Sequence, residues 1–484
     1  MPLLSTDTWT DRIKLSEWQP GGGQSYSVTE PATGDELGRV GTASVEDVTR
    51  AADVASQAQK EWAKAGYLAR AAVLRKAGDL WLEHAGEIHD WLVREAGSIV
   101  PKAEFETFTA AQECYEAAAL ASHPYGELLH SAQPRLSMAR RLPVGVVGVI
   151  APFNVPIVLA IRAVAPALAL GNAVILKPDL RTAVSGGVAL AQVFEAAGLP
   201  AGLLTVLPGG VDVGEALVVE PRVRVIAFTG STRAGRAVGA LAGQHLKRAH
   251  LELGGNSAYI VLPDADPDKA ASVGAFGSFF HSGQVCMAAS RHLVHADVAD
   301  AYVASLAGRA EHLPVGNPHT EQVALGPIID ANQRDKVHGI VTTSVDAGAT
   351  LAAGGTYDRL FYRPTVLTDL TVDSPAYSEE IFGPVAPVIT FTDVDELVAL
   401  ASGTDYGLSL GIIGHDLGKA MEIAERVPSG LVHINDQTIN DEATIPFGGI
   451  GASGVGRQGG LANLEAFTET QWLTIRATPP DYPF

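Results

Sequence analysis

The middle of the chain sets the tightest limit on the fold. Apolar strand-like runs at residues 144–150, 173–176, 203–207 and 223–228 alternate with helical stretches such as 183–197 and 233–246. Parallel strands need crossovers of about this length, and helices packed on both faces make such strands apolar on both sides. The alternation therefore predicts βαβ units and a covered parallel sheet. A second α/β pattern starts after Gly255, with strands predicted at 257–262, 385–391 and 408–413 and helices at 267–280 and 298–306. Ahead of both, Val45, Val48, Ala52, Ala55 and Trp62 form the stripe of an amphipathic helix, and helical patterning continues over 71–91. No internal repeat, low-complexity segment or long linker separates these regions. The domains should share an extensive interface, with the chemistry between them.

Composition narrows the function classes. With 484 residues, 47% of them hydrophobic, the chain can bury two or three domain cores, and 18% charged residues are too few for a disordered protein. A net charge of −20 argues against a nucleic-acid partner but is indifferent to a small neutral substrate. Cys114 and Cys286 are the only cysteines, too few for a disulfide framework, which predicts a reducing, cytoplasmic setting. The polar N-terminus shows no signal-peptide pattern. The long apolar stretch 144–176 carries Pro152, Pro156, Pro166, Asn154 and Arg162, which argues against a membrane span. No zinc spacing, P-loop or kinase motif is present, so no metal is assigned.

Three polar residues make a reaction kit. Cys286 lies in Gly283-Gln284-Val285-Cys286, 34 residues after the glutamate of Leu251-Glu252-Leu253-Gly254-Gly255-Asn256, and Asn154 sits in Pro152-Phe153-Asn154-Val155-Pro156. A thiol attacks carbonyls, an amide donor holds an oxyanion, and a carboxylate activates water. Read singly, each has a bland alternative: a free cysteine is usually a small buried hydrophobe, a glutamate a solvated charge, an asparagine among prolines a turn residue. Together, and over nearly the whole chain, the motifs resemble the aldehyde dehydrogenase superfamily.

The resemblance implies an α/β fold with a Rossmann-type dinucleotide-binding domain (1–124 and 144–251), an α/β catalytic domain (252–455) and a small β oligomerisation arm (125–143 and 467–484). It implies oxidation of an aldehyde to its acid. Cys286 forms a hemithioacetal, Asn154 holds the oxyanion, hydride passes to a nicotinamide, and Glu252 activates water against the thioester. Phe228-Thr229-Gly230-Ser231-Thr232 departs from the G-x-G-x-x-G fingerprint but matches the family's own variant, at a helix start suited to a pyrophosphate. The implied cofactor residues are Ile150, Ala151, Pro152, Lys177, Asp179, Gly210, Phe228, Gly230, Ser231, Leu253, Glu380 and Phe382. The last two lie in Glu379-Glu380-Ile381-Phe382-Gly383-Pro384, a motif matched to the nicotinamide ribose and ring. Two departures stand out. Leu180 occupies a place where NAD-preferring members often carry a ribose-binding glutamate, so NAD is the first choice with NADP left open. Gln458 replaces a glutamate sometimes proposed as an accessory base, which leaves Glu252 as the main candidate.

Several segments resemble the benzaldehyde and vanillin dehydrogenase branch, among them Lys177-Pro178-Asp179-Leu180-Arg181-Thr182 and Cys286-Met287. Val155, Val285, Met287 and Phe447 are the expected substrate-pocket residues and suit an apolar, planar aldehyde. Aliphatic aldehydes fit the same logic. A semialdehyde would need an arginine for its distal carboxylate, for which Arg162 and Arg291 are candidates. A non-catalytic dinucleotide-binding structural protein is the remote alternative. A homodimer or homotetramer is expected, with no nucleic-acid or membrane partner.

Overall fold

The apolar runs of the middle region become β1 (Val146–Ile150), β2 (Ala173–Lys177), β3 (Leu204–Val206) and β4 (Val223–Thr229), followed by β5 (Arg248–Glu252), in a computed structural model that describes residues 2–123 and 125–484. Met1 and Pro124, both inside the 1–124 range assigned above, lie outside the described residues. The five strands pair in parallel in the order β3-β2-β1-β4-β5. Chain order reverses between β1 and β4, and an open sheet wound this way leaves a crevice at the carboxyl ends of its strands there. Ile150 and Lys177 end β1 and β2, and Thr229 and Glu252 end β4 and β5. A short strand, Gly454–Val455, extends the sheet beyond β5, pairing Glu252 with Gly454.

The helices follow from the same patterning. The long helix α1 (Val100–Leu120) packs against α2 (Pro156–Ala169), and α3 (Thr232–Gln244) follows β4. Every residue of α2 is buried, which explains why 144–176 reads as uniformly apolar: β1, α2 and β2 are an interior unit. Among the described residues no helix is long and apolar enough to cross a membrane.

After Glu252 the chain enters a second sheet. Its strands β6 (Ser257–Val261), β7 (Ala289–His295), β8 (Thr365–Thr368), β9 (Val385–Phe391), β10 (Ser409–Ile413) and β11 (Leu431–Ile434) run parallel in the order β8-β9-β7-β6-β10-β11. Alternate residues of β6 feed two cores, Ala258 and Ile260 on one face, Tyr259 and Val261 on the other. Helix α4 (Pro267–Phe279) covers the face holding Tyr259. A third, three-stranded antiparallel sheet joins Gly126–Leu128 and Leu136–Pro143 to Thr468–Ile475.

Two expectations need correction. The helical patterning over 71–91 is not one helix: it breaks at His84 into Tyr67–Glu83 and Ala85–Glu95. The stretch 183–197 opens as a π-helical turn, Val184–Val188, before becoming α-helical. There the buried Glu95 carboxylate accepts from the Val184 and Ser185 backbone N–H groups at 2.8 and 2.7 Å, drawing them out of the regular ladder.

Candidate active site

Cys286 sits in the connection between α4 and β7. His281, Ser282 and Gly283 take consecutive left-handed conformations (φ 50°, 54° and 66°), a sharp turn that leaves Cys286 half-buried at the edge of the crevice. Glu252 ends β5 and is buried. The two glycines that follow are required by close approach: a β-carbon on Gly254 would lie 2.5 Å from a Glu380 carboxylate oxygen, and one on Gly255 would overlap the Cys286 carbonyl. The chain thus threads between the nucleophile's loop and the Glu380 loop. Asn154, in the β1–α2 connection, donates its Nδ2 to the Gln284 carbonyl at 2.9 Å, two residues before the thiol. An amide nitrogen has two N–H groups, so one remains for a ligand.

Burial dominates the electrostatics. The Glu252 carboxyl is pushed up to about 8 by desolvation, with Arg162 and Arg457 pulling it back and Asp441 adding to the rise. Among the described residues neither of its oxygens has a partner. The Cys286 thiol is pushed up to about 12 by burial first, then by the negative charges of Glu380, Glu252 and Asp441. Both groups are therefore protonated near neutrality and both are sensitive to any added positive charge.

All twelve residues predicted for the cofactor line one cavity of about 810 Å³, together with Asn154 and Cys286. Gly210 precedes the helix Val211–Val219, and Ser231 caps α3 by accepting from the Ala234 N–H at 3.3 Å. Two helix starts thus border the cavity, a natural seat for a pyrophosphate. Asp179, at the cavity wall, forms a bidentate pair with Arg181 at 2.9 and 2.8 Å. Arg181 also meets Asp330 at 2.7 Å and covers the Phe153 ring at 4.1 Å. Leu180 lines the same cavity. At the far end Glu380 accepts from the Gly255 N–H at 2.9 Å, and Phe382 packs edge-on to Phe153 at 5.9 Å.

On the other side of Cys286 the surroundings are apolar. Val285, Met287, Ala288, Leu408 and Phe447 form a cluster, with Phe280, Ile439 and Ile445 packed against it. Val155 stands apart from this cluster, preceding the first turn of α2. Gln458 is buried and donates its backbone N–H to the Phe447 carbonyl at 3.0 Å. Arg291 spends its donors on the backbone carbonyls of Asn256, Leu400 and Ala401. Arg162 is clamped by Glu113 at 2.9 Å and Asp441 at 2.5 Å, and lies over the Phe447 ring at 4.9 Å.

Several residues of the site escaped the sequence reading. Asp441 and Arg457 act on Glu252 from loops distant in sequence. Gln333 and Lys336 hold the Glu380 turn through the Phe382 and Glu380 carbonyls at 2.8 and 2.7 Å. Lys102 and Glu106 stand on α1; their i, i+4 spacing is the only local signal, and it usually marks an exposed pair.

A thiol where a dinucleotide-sized crevice meets an apolar pocket, with a buried carboxylate and an amide donor close by, defines a cysteine-dependent dehydrogenase. The chain belongs to the aldehyde dehydrogenase family, whose model matches residues 18–473. It is 64% identical to a vanillin dehydrogenase of Amycolatopsis sp. over the full length of both chains. It is 50% identical to a Pseudomonas putida benzaldehyde dehydrogenase [NAD(+)], with 98% of each chain covered. Among solved structures, a salicylaldehyde dehydrogenase from Pseudomonas putida G7, complexed with salicylaldehyde, superposes with a TM-score of 0.95 at 34% identity, over 98% of this chain and 99% of that one. The protein is an enzyme, and the family oxidises aldehydes with NAD(P).

Proposed function

We propose that this enzyme oxidises an aromatic aldehyde of the benzaldehyde or vanillin type to its carboxylic acid. The observation that carries the reading is the apolar wall of Phe280, Val285, Met287, Ile439, Ile445 and Phe447 around Cys286. The substrates named for the relatives support it. Of the two arginines a semialdehyde's distal carboxylate could meet, Arg291 is spent on backbone carbonyls; Arg162 is charge-balanced by Glu113 and Asp441 and keeps only its Nη1 without a partner among the described residues.

In this reading the Cys286 thiol passes its proton to solvent water and its sulfur bonds to the aldehyde carbon. The second N–H of Asn154, with a backbone N–H beside Cys286, stabilises the oxyanion. The bound cofactor supplies the hydride acceptor. Collapse of the oxyanion expels the hydride and leaves a thioester on Cys286. Glu252, in its ionised form, takes a proton from water; the hydroxyl adds to the thioester carbon, the carbon–sulfur bond breaks, and the acid leaves.

The residues at the cavity fit a dinucleotide. The starts of Val211–Val219 and α3 would hold the pyrophosphate, Lys177 the adenosine ribose, and Glu380 and Phe382 the nicotinamide ribose and ring. NAD is the first choice, supported by the relative named for NAD(+), and NADP use is supported by Leu180, which offers the ribose no carboxylate, and by the neutralisation of Asp179 by Arg181. The ranges 1–124 with 144–251, 252–455, and 125–143 with 467–484 serve as cofactor, catalytic and oligomerisation domains. Free Cys114 and Cys286 support a cytoplasmic setting.

The test is reduced-nicotinamide formation with benzaldehyde, vanillin, hexanal and succinic semialdehyde, each with NAD and NADP. A kcat/KM highest for the two aromatic aldehydes is expected. A preference for succinic semialdehyde would discard the apolar-pocket argument.

A further inference from the structure

Helix α1 buries a lysine. Lys102 is 1% exposed and its partner Glu106 is fully buried. The Lys102 ammonium spends its three donors on the Ser98 hydroxyl at 3.0 Å, the Asn154 carbonyl at 2.7 Å and the Glu106 carboxylate. The other oxygen of Glu106 accepts from the Ile157 N–H at 3.1 Å, with the Val158 N–H beside it. These amides belong to the first turn of α2, which has no intrahelical acceptor for them. The ion pair thus grips both ends of the segment 154–158. A buried pair is a poor device for stability alone, because desolvating two charges costs about as much as their attraction returns.

The same segment is tied to the nucleophile. The Asn154 amide donates to the Gln284 carbonyl at 2.9 Å. Gln284 lies on the loop that delivers Cys286. Asn154 is therefore fixed from two sides, by α1 through its carbonyl and by the cysteine loop through its side chain.

We propose that Lys102, braced by Glu106, is a positioning residue that sets the place of the Asn154 amide relative to the Cys286 sulfur. The proposal rests on Asn154 serving as the oxyanion donor. Lys102 touches neither substrate nor cofactor; it acts through the backbone of Asn154. A displaced donor weakens the transition state and leaves cofactor binding alone.

The experiment is a double-mutant cycle on the full-length enzyme with benzaldehyde and NAD. Lys102→Met/Glu106→Gln removes both charges while keeping an acceptor for Ile157; Asn154→Ala removes the donor. The expected loss in kcat for Lys102→Met/Glu106→Gln is about 10- to 100-fold, below the ~10²–10³-fold cost of deleting an oxyanion donor. The KM for NAD should stay within about twofold. In the Asn154→Ala background the same change should cost less than about threefold, because the residue it positions is gone. A purely structural role would lower kcat equally in both backgrounds, and that result, or an unchanged kcat, overturns the proposal. Glu106→Gln alone is the second variant, read in the same cycle if the double replacement does not yield folded protein. If Asn154→Ala keeps full kcat, the oxyanion reading falls and this proposal with it. If Asn154→Ala is impaired and the Lys102 and Glu106 variants are not, only the positioning claim falls.

Discussion

Glu252 and Cys286 share one physical problem: both act as anions and both are held in places that disfavour charge. Glu252 is pushed up to about 8, so the limb of the pH–rate profile that reports water activation should rise through pH 8 as the carboxyl loses its proton. Arg457 pulls that carboxyl down, so Arg457→Gln should move the limb to higher pH. Asp441 pushes it up, so Asp441→Asn should move it lower. A steady-state profile of kcat against pH for the three proteins checks both signs. The thiol makes a parallel case. With Cys286 pushed up to about 12, alkylation of the free enzyme by iodoacetamide should be slow at pH 7 and quicken steadily through pH 10, read by mass spectrometry at that residue. Cys286, Glu252 and Asn154 could be singled out in the sequence because each sits in a local motif. Asp441, Arg457 and Lys102 could not, because their effect on those residues arises only when segments far apart in sequence pack together.

At the scale of elements, the parallel strands were the most legible part of the chain. Buried on both faces, β1 and most of β2 read as apolar runs whatever their neighbours, and β4 does so from Val225 to Phe228. The break at His84 was not legible, since apolar spacing runs through it, and neither was the π turn at 184–188, which a carboxylate from another helix imposes. The cofactor crevice tests the element account directly. Leu180 follows the end of β2 and lines the cavity without an acceptor. Leu180→Glu should add a carboxylate at the ribose edge and lower kcat/KM for NADP by about 10-fold or more relative to NAD, since a buried like charge opposes a phosphate. Initial rates with both cofactors check this.

For the whole molecule, the neighbouring segments 126–128 and 136–143 close into one sheet with 468–475, from the far end of the sequence. That sheet leaves Leu128 77% and Trp472 63% exposed. Exposed apolar side chains on a three-stranded sheet mark an interaction surface. The ranges 125–143 and 467–484 are assigned to an arm by family resemblance, not by periodicity. If it assembles the oligomer, Trp472→Glu should shift the sedimentation coefficient towards the monomer, with secondary structure by circular dichroism unchanged. A wild-type protein that sediments as a monomer would remove the arm's proposed role.

The proposed reaction has two stages, divided between Cys286 and Glu252, and a single-turnover experiment separates them. Stopped-flow mixing of Glu252→Gln with benzaldehyde and NAD should give a burst of reduced nicotinamide close to one per active site, then turnover slowed by about 10²–10³-fold. Cys286→Ala should give no burst. Steady, burst-free turnover by Glu252→Gln at the wild-type rate would contradict the account, because the thioester would then be hydrolysed without that carboxylate.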